Sequence, residues 1–341
     1  MSEKSYGIAV VGATTVVGET IIEMLAEREF PVGTLYPLAE PGDAGGRIQF
    51  GSKNVSVKNL AEFDFSKVQI AFFAAGCEVA AEYAPKAAGA GCIVIDNSAE
   101  FRLDEDVPLV VPEVNPEEIA QYNQSHIIAN PNCSTIQMVV ALKPIHDAVG
   151  IERINVTACQ AVSGSGRAAI EELASQTAAL LNCKSLETEV YSRQIAFNIL
   201  PLVDALQDNG YTKEEMDIVS ETQRVMGDRA IQINPTAVRA PVFFGHSEAV
   251  HIETKVQITA DAARALLDKA PGVEVVGGVA DDDYPTAVTE SAGQDSVFVG
   301  RIRQDISHPR GLDLWIVADN VRKGAALNSI QIAEILIKDY I

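Results

Sequence analysis

Short apolar runs alternate with segments of helical periodicity through the first part of the chain. Val17, Ile21 and Leu25 recur at helical spacing, and the alanine-rich residues 80–90 predict a second helix. Pro37 lies inside one run and indicates a strand end or a sheet edge there. Alternating strands and helices are typical of parallel βαβ units. The predicted strands are residues 7–11, 34–39, 68–75, 91–96 and 127–129.

The pattern changes after Cys133. Helices are predicted at 136–142 and 167–181, and a polar surface loop at 207–216. An amphipathic helix at 325–338 is expected to pack back on the first domain. The predicted fold class is therefore α/β, with an N-terminal Rossmann-like doubly wound sheet (1–130 and 321–341) and an α+β catalytic and dimerisation domain (131–320). The strands of the second domain, in a mixed or antiparallel sheet, are residues 154–161, 237–242, 249–258, 296–303 and 312–318.

Composition narrows the class of protein. The chain has 341 residues, 47% of them hydrophobic and 21% charged, which is ordinary for a soluble globular protein. A net charge of −21 makes nucleic acid and anionic membranes poor partners, and no run approaches the ~20 apolar residues of a membrane span. The five cysteines have neither metal-ligand nor disulfide-framework spacing, so we expect no metal site and a reducing cytoplasm.

A glycine turn joins the first strand to the first helix. Gly12 and Gly18 bracket it, and this arrangement is typical of folds that hold a pyrophosphate on the free amides of a helix N-terminus. The spacing is G-x-x-x-x-x-G and lacks the fuller G-x-G-x-x-G, so a purely structural turn is the alternative. Residues 40–46 form a polar loop after the second strand, where an adenosine ribose usually meets the protein.

A second turn, residues 130–135, follows the strand at 127–129 and contains Cys133. Pro131 disfavours a helical conformation at Asn130, so the chain turns there and Cys133 falls at the start of a helix. Helix amides and the helix dipole favour a thiolate at such a position. The alternative is a small buried cysteine behind a turn.

Taken together, these stretches resemble the aspartate-semialdehyde dehydrogenase family from end to end. The resemblance implies reductive dephosphorylation of L-aspartyl 4-phosphate to L-aspartate 4-semialdehyde with a nicotinamide cofactor, through a cysteine thioester, in lysine, threonine and methionine biosynthesis. It also implies a homodimer or a dimer of dimers. The matching stretches are residues 12–18, 107–115, 131–135, 160–164, Arg239 with 246–248, and 319–320 with 323–326.

The resemblance also assigns roles to single residues. It makes Cys133 the nucleophile, His246 the general acid/base, and Gln160 the residue that orients the acyl-enzyme. It places Arg239 on the substrate carboxylate, Arg102 and Arg224 on phosphate, Glu221 on the substrate amine, and Asn132 at the substrate. The implied cofactor-binding residues are Gly12, Thr14, Thr15, Val16, Val17, Gly18, Glu40, Ser163, Gly164 and Asn320.

Each of these residues has a structural alternative. His246 could be a satisfied core histidine, Gln160 a strand-end amide, and Arg102 and Arg239 surface ion pairs that contribute only about 0–1 kcal/mol. Glu221 and Arg224 could form a solvated i, i+3 pair on a helix. The joint pattern, with the spacing from Arg239 to His246, favours the catalytic interpretation.

The chain departs from the family pattern in three ways. Thr15 replaces a usual glycine in the phosphate turn, and Arg224 replaces a usual lysine. Glu40 and Gly42 stand where the family usually offers serine and arginine to the 2′-phosphate of NADP. A carboxylate there repels a phosphate and accepts from a free 2′-hydroxyl, so we hypothesise a weakened NADP preference and use of NAD.

Two other functions are kept as alternatives. The sequences of residues 193–198 and 241–245 are similar to those of a degenerate paralogue group of the family. This similarity suggests a non-catalytic nucleotide-binding paralogue. The second alternative is an N-acetylglutamyl-phosphate reductase, although residues 131–135 and 160–164 favour the aspartyl substrate.

Overall fold

A computed structural model describes residues 4–277 and 283–341 of the chain. These residues form two units, one made of the residues up to Asn132 together with Ala325–Ile341, and the other of Cys133–Gly324.

The first unit is built on a six-stranded, entirely parallel sheet with the order β5-β2-β1-β6-β7-β8. The expected doubly wound α/β fold is therefore confirmed, with a small β3–β4 hairpin added. The elements are β1 (Tyr6–Val11), α1 (Val16–Glu27), β2 (Val32–Ala39), β3 (Arg47–Phe50), β4 (Lys53–Ser56), β5 (Lys58–Asn59), β6 (Ile70–Phe73), α2 (Cys77–Gly89), β7 (Ile93–Asp96) and β8 (Ile127–Ala129).

The course of the chain across this sheet positions the first candidate site. From β1 the chain moves to β2 on one side and later to β6 on the other, so the strand order reverses at β1. Ligands of such sheets bind beyond the carboxyl ends of the strands at this point. Pro37 lies near the edge of the sheet, as expected, because among the described residues only the two-residue β5 lies outside β2.

The second unit holds a mixed six-stranded sheet with the order β10-β9-β11-β14-β13-β12. Helices α3, α5 and α6 pack against its strands. The elements are α3 (Cys133–Val149), β9 (Ile151–Gln160), α4 (Arg167–Leu181), α5 (Lys213–Val225), β10 (Gln232–Arg239), β11 (His246–Thr254), α6 (Ala260–Leu267), β12 (Val273–Val275), β13 (Val297–Gln304) and β14 (Gly311–Ala318).

Three sequence-based predictions are wrong in this unit. The loop expected at 207–216 instead enters α5 at Lys213, because Thr212 and Glu215 form a reciprocal capping box. The strand expected at 237–242 runs from Gln232 to Arg239 and includes Pro235 on an edge strand. The strand expected at 249–258 ends at Thr254, because the next two amides bond to Val149 and Gly150 outside the sheet.

The C-terminal helix belongs to the first unit. A π-helical segment, Arg322–Leu327, precedes α7 (Asn328–Asp339), so the predicted continuous helix changes its hydrogen bonding on the way. Ile330, Ile332 and Leu336 are fully buried in the same hydrophobic cluster as Ile8 of β1. The expected packing of this helix on the first domain is therefore confirmed.

Candidate active site

Cys133 is the first residue of α3, and this expected position is confirmed. The preceding strand β8 pairs with β7, and Asn130 donates its backbone N–H to the Asp96 carbonyl at 2.8 Å. Cys133 is half-buried at the helix start, where amides and the helix dipole favour a thiolate. Gly324 packs on it so closely that an added Cβ there would lie 2.6 Å from the Cys133 Cβ. A side chain at position 324 would therefore displace the cysteine.

Gln160, the last residue of β9, is held by two acceptors. Its Nε2 donates to Ser134 Oγ at 3.0 Å, and also to Glu214 Oε1. Ser134 is the neighbour of Cys133, and Glu214 lies in the first turn of α5. The amide that the resemblance assigns to the acyl-enzyme is thus tied to the cysteine helix on one side and to α5 on the other.

His246 is the first residue of β11 and is completely buried. Gly245 before it has φ +87°, a conformation that favours glycine, and its N–H donates to Asn320 Oδ1 at 2.9 Å. The His246 Nδ1 accepts the N–H of Ala161 at 3.0 Å. Among the described residues its Nε2 has no hydrogen-bond partner. Burial and the neighbouring Arg239 charge lower the pKa of His246 to about 3, so the ring is neutral.

Arg239 ends β10 directly beside Gln160 in the strand pairing. Its Nη1 donates to the Ala161 carbonyl at 2.7 Å, so Ala161 contacts both Arg239 and His246. A Cβ added at Gly164 would lie 3.1 Å from Arg239 Nη1 and 3.7 Å from His246 Nε2. The structure therefore brings together Gln160, Gly164, Arg239 and His246 within the second unit.

Ser163 and Asn320, two of the expected cofactor-binding residues, join this group. Asn320 Nδ2 donates to Ser163 Oγ at 3.0 Å, while its Oδ1 accepts the Gly245 amide. Both side chains are buried. Asn320 thus couples the 160–164 loop to the backbone that presents His246.

Glu221 and Arg224 lie further along α5. Glu221 is seven residues, about two helical turns, after Glu214 and is buried, whereas Arg224 is half-buried near the end of the helix. Both residues are on α5, the helix that contacts Gln160. Their expected contacts with the substrate stay a prediction.

Arg102 and Asn132 lie at the carboxyl ends of β7 and β8 in the first unit. Arg102 is buried, and its Nε and Nη2 donate to the carbonyls of Asn130 and Asn97 at 3.0 Å and 2.8 Å. Asn132 is also buried and directly precedes Cys133. A buried guanidinium anchored on two carbonyls suits recognition of an anion.

The expected dinucleotide residues surround the switch point of the first sheet. A cavity of about 100 Å³ is lined by Gly12, Thr14, Thr15 and Glu40. Val16, Val17 and Gly18 form the first turn of α1, whose leading amides have no acceptor within the helix. Asp43, which the sequence analysis did not select, also lines this cavity and places a second carboxylate beside Glu40.

Thr15, the departure from the glycine pattern, is the N-cap of α1. Its Oγ1 accepts the Gly18 amide at 3.0 Å and contacts the carbonyls of Gly12 and Ala74 at 2.8 Å and 3.0 Å. Gly12 itself has φ +77°, and a Cβ there would lie 2.5 Å from the Ala74 carbonyl. Thr15 therefore supports the turn, and its side chain is compatible with the close approach of the two strand ends.

Sequence reasoning missed several buried polar groups. Glu248 is fully buried on β11, two residues after His246, and burial and the Glu214 charge raise its pKa despite the nearby Gln137 amide. Lys323 is also fully buried, next to Gly324. Both residues lie inside stretches that carry the family resemblance, 246–248 and 323–326. Their position in these motifs was the sequence signal that could have identified them. Within the described ranges, no cluster of His, Cys, Asp and Glu is arranged to hold a metal ion.

Comparison with known proteins agrees with this division of the chain. Residues 7–122 match the family model described as semialdehyde dehydrogenase, NAD binding domain, and residues 142–323 match the model described as semialdehyde dehydrogenase, dimerisation domain. The fold and the site therefore define a two-domain semialdehyde dehydrogenase.

Full-length relatives narrow this class. The chain is 58% identical to aspartate-semialdehyde dehydrogenase of Shewanella sp. (strain DB6705), over 99% of both chains. It is 56% identical to the crystal structure of aspartate semialdehyde dehydrogenase II complexed with ASA from Vibrio cholerae, with a TM-score of 0.98 over 99% of this chain and 100% of that one. A probable aspartate-semialdehyde dehydrogenase from Pseudomonas aeruginosa, 40% identical, has a TM-score of 0.95 over 99% of this chain and 100% of that one. The chain belongs to the aspartate-semialdehyde dehydrogenase family.

Proposed function

We propose that the protein is an enzyme that reduces L-aspartyl 4-phosphate to L-aspartate 4-semialdehyde and releases phosphate. The observation that carries this proposal is the hydrogen-bonded group in the second unit, in which Gln160 bonds beside Cys133 while the adjacent Ala161 bonds His246. The full-length relatives carry the aspartate name and favour this substrate over N-acetylglutamyl phosphate. The presence of Cys133, Gln160 and His246 argues against the non-catalytic paralogue.

Cys133 is the proposed nucleophile. A thiolate attacks an acyl phosphate readily, and phosphate leaves as the thioester forms on the sulfur. The amides at the start of α3 are suited to an oxyanion, and one such donor typically contributes ~3 kcal/mol. Gln160 orients the acyl group, because its amide is fixed between Ser134 and Glu214.

The ends of the substrate are charged, and the chain offers complementary groups. We assign the substrate carboxylate to Arg239 and the amine to Glu221, both of them buried, and the phosphate to Arg102 and Arg224. Arginine suits the two anions because its planar fork forms paired hydrogen bonds. Asn132 is assigned to the acyl end, beside Cys133.

A nicotinamide dinucleotide fits the turn after β1, where helix amides await a pyrophosphate and Glu40 and Asp43 line the adenosine side. When bound, it supplies the hydride that reduces the thioester. Gly12, Thr14, Thr15, Val16, Val17 and Gly18 would hold the pyrophosphate, and Ser163, Gly164 and Asn320 the nicotinamide end. Two carboxylates disfavour the 2′-phosphate of NADP, so we propose that NAD is used and that any NADP preference is weak.

The proposed assembly is a homodimer formed by the second unit, which matches a dimerisation domain. Two such dimers would make the tetramer that the resemblance allows. The proposed substrates are small molecules. The net charge of −21 disfavours binding to nucleic acid and to anionic membranes. Across residues 4–277 and 283–341, no helix combines the length and apolarity that crossing a bilayer requires. The proposed site of action is the cytoplasm.

Steady-state kinetics in the reverse direction test the function. Aspartate semialdehyde, inorganic phosphate and either NAD or NADP are supplied, and reduced cofactor is followed. We expect phosphate-dependent turnover, and a kcat/KM for NAD at least comparable with that for NADP. Cys133→Ala should abolish turnover while leaving cofactor binding intact, because the cysteine is not among the residues assigned to the cofactor.

Absence of turnover with both cofactors, in a protein that still binds them, would support the non-catalytic paralogue. Faster turnover with N-acetylglutamate semialdehyde would support the other branch. A strong preference for NADP would contradict the role given to Glu40 and Asp43, but the proposed reaction would still stand.

A further inference from the structure

Two backbone carbonyls fix the guanidinium of Arg102. Its Nε donates to the Asn130 carbonyl at 3.0 Å, and its Nη2 donates to the Asn97 carbonyl at 2.8 Å. These two nitrogens lie on the same edge of the planar group, so the pair of bonds sets both its position and its plane. Asn97 directly follows β7, and Asn130 directly follows β8, the neighbouring strand of the first sheet. The direction in which Arg102 meets an anion therefore depends on these two asparagines.

The side chains of both asparagines are held by consecutive residues at the start of α7. Asn328 Nδ2 donates to Asn130 Oδ1 at 2.7 Å, and Ser329 Oγ donates to Asn97 Oδ1 at 2.9 Å. Asn328 and Ser329 are the first two residues of the helix, and both are fully buried. Each residue that holds Arg102 is thus itself held by α7, and all of these residues belong to the first unit.

Further hydrogen bonds tie this group to the sheet. Asn97 Nδ2 donates to the carbonyl of Phe73, the last residue of β6, at 2.9 Å. Asn328 Nδ2 also donates to the Val110 carbonyl, at 3.0 Å. Both ends of the Asn97 amide and both hydrogens of Asn328 Nδ2 therefore have partners. Losing a partner is costly for polar atoms that have little access to water, so we expect these side chains to keep one arrangement.

A simpler interpretation is that the two polar residues only attach α7 to the first unit. That attachment is already provided by Ile330, Ile332 and Leu336, which are fully buried in the hydrophobic cluster of this unit. A buried amide or hydroxyl costs free energy unless it is hydrogen-bonded, and apolar residues would dock the helix without this cost. The bonds from the start of α7 to both supports of Arg102 therefore indicate a role beyond docking.

We propose, building on the function proposed above, that Asn328 and Ser329 are positioning residues for phosphate: through Asn130 and Asn97 they align the Arg102 guanidinium with the phosphate group of the substrate. In the reverse reaction the same guanidinium meets the inorganic phosphate that attacks the thioester. Without this support the two carbonyls can shift, and the planar guanidinium, which recognises an anion through paired hydrogen bonds, loses its alignment. The effect should fall on phosphate and spare the aldehyde and the cofactor.

Phosphate kinetics in the reverse direction test the positioning role. We expect Asn328→Ala to raise the KM for phosphate about 10-fold and Ser329→Ala about 3-fold, because hydrogen bonds to the two supports are lost. The KM values for aspartate semialdehyde and for the cofactor should stay within about 2-fold of wild type. If Asn328→Ala does not fold, Ser329→Ala, which removes only a hydroxyl, tests the same support.

Gln331→Ala is the matched control. Gln331 lies on the same helix and donates to Glu113 Oε1 at 2.9 Å, away from the supports of Arg102. Its loss should leave the phosphate KM unchanged, whatever it does to stability. Equal changes in all three KM values of Asn328→Ala and Ser329→Ala, or an unchanged phosphate KM in both, would overturn the proposal.

Binding of inorganic phosphate to the resting protein separates this proposal from the proposed reaction. Isothermal titration calorimetry of wild type and Arg102→Ala gives the part of the phosphate affinity that needs the guanidinium. We expect Asn328→Ala to weaken that part about 10-fold and to add nothing further in the Arg102→Ala background, because the support acts only through Arg102.

The two proposals then fail separately. Undiminished Arg102-dependent binding in Asn328→Ala and Ser329→Ala would overturn the positioning role and leave the reaction standing. Absence of turnover, together with Arg102-dependent binding that Asn328→Ala weakens, would count against the reaction and support the positioning role. Phosphate binding that did not depend on Arg102 would overturn the positioning role at its first step.

Discussion

At the scale of single residues, Glu248 is a buried acid whose charge the fold resists. Its folded-state pKa lies above the ordinary glutamate value of 4.5, because of burial and the Glu214 charge. The folded protein therefore binds more protons than the unfolded chain as pH rises above 4.5, and stability falls in that range until the folded pKa is passed. Glu248→Gln removes this loss. We expect the variant to gain stability relative to wild type between pH 5 and pH 8, by up to about 1.4 kcal/mol per pH unit.

Urea midpoints of wild type and Glu248→Gln at pH 5, 6.5 and 8 measure the effect. Glu105→Gln, a change at an exposed turn, is the matched control and should show no such trend. A difference between Glu248→Gln and wild type that stayed constant with pH would show that Glu248 is ionised in the folded protein.

Residues differ in how far the sequence predicts them. Cys133 could be placed at a helix start because Pro131 and the strand before it act locally. The hydrogen bonding of His246 could not be predicted in this way, because the residue that bonds its Nδ1 is 85 positions away in the chain. Gln160, Arg239 and His246 enter through motif resemblance, and only the structure supplies Glu214 as a neighbour of Gln160.

At the scale of elements, α1 depends on Thr15. Its hydroxyl caps the helix and bridges the ends of β1 and β6 through Gly12 and Ala74. Thr15→Ala should cost about 0.5–2 kcal/mol of stability through the lost cap and raise the KM for the cofactor, because the turn that faces the pyrophosphate loosens. Thr15→Ser keeps the oxygen and should behave like wild type. Urea denaturation and cofactor titration provide both numbers.

Thr20→Ala on the same helix is the control. Thr20 donates to the Val16 carbonyl and caps nothing, so its loss should leave the cofactor KM unchanged. Equal effects of the two alanine changes would argue that Thr15 acts only through general helix stability.

Elements were predictable where their pattern is apolar. Five strands of the first sheet and α7 follow from buried runs, because both faces of a parallel strand are covered, whereas the two-residue β5 was missed. Helix α5 was missed because its sequence is mostly polar, yet Thr212-Lys213-Glu214-Glu215 is a capping-box signature that could have located it. The hairpin of β3 and β4 and the short β12 give too few alternating positions to be recognised.

At the scale of the whole molecule, motif order along the chain predicted more than composition did. Composition and net charge excluded classes of partner but selected no fold. The motifs selected both halves of the fold, since residues on either side of Cys133 match two domain models of one family. The assembly was not readable from sequence, because apolar strands serve a core and an interface equally well.

The second sheet indicates how two copies associate. Alternate β11 residues point to the face opposite the buried one, and at its centre Ala249 is exposed between Thr157 and Trp315. On this face a cavity of about 450 Å³ extends beside Trp315. A second copy would cover the face, because this unit matches a dimerisation domain. Ala249→Glu should then bury a carboxylate in the interface and weaken the dimer at least ~100-fold, about 2.7 kcal/mol.

Sedimentation equilibrium measures the dimer constant of wild type and Ala249→Glu. Ala81→Glu, on exposed α2 in the first unit, adds the same charge elsewhere and should leave the constant unchanged. An added charge weakens the dimer only if it lies where the two copies meet. A dimer that tolerated glutamate at 249 but not at 81 would therefore place the interface on the first unit. A tetramer that broke to dimers in Ala249→Glu would instead assign this face to the contact between dimers.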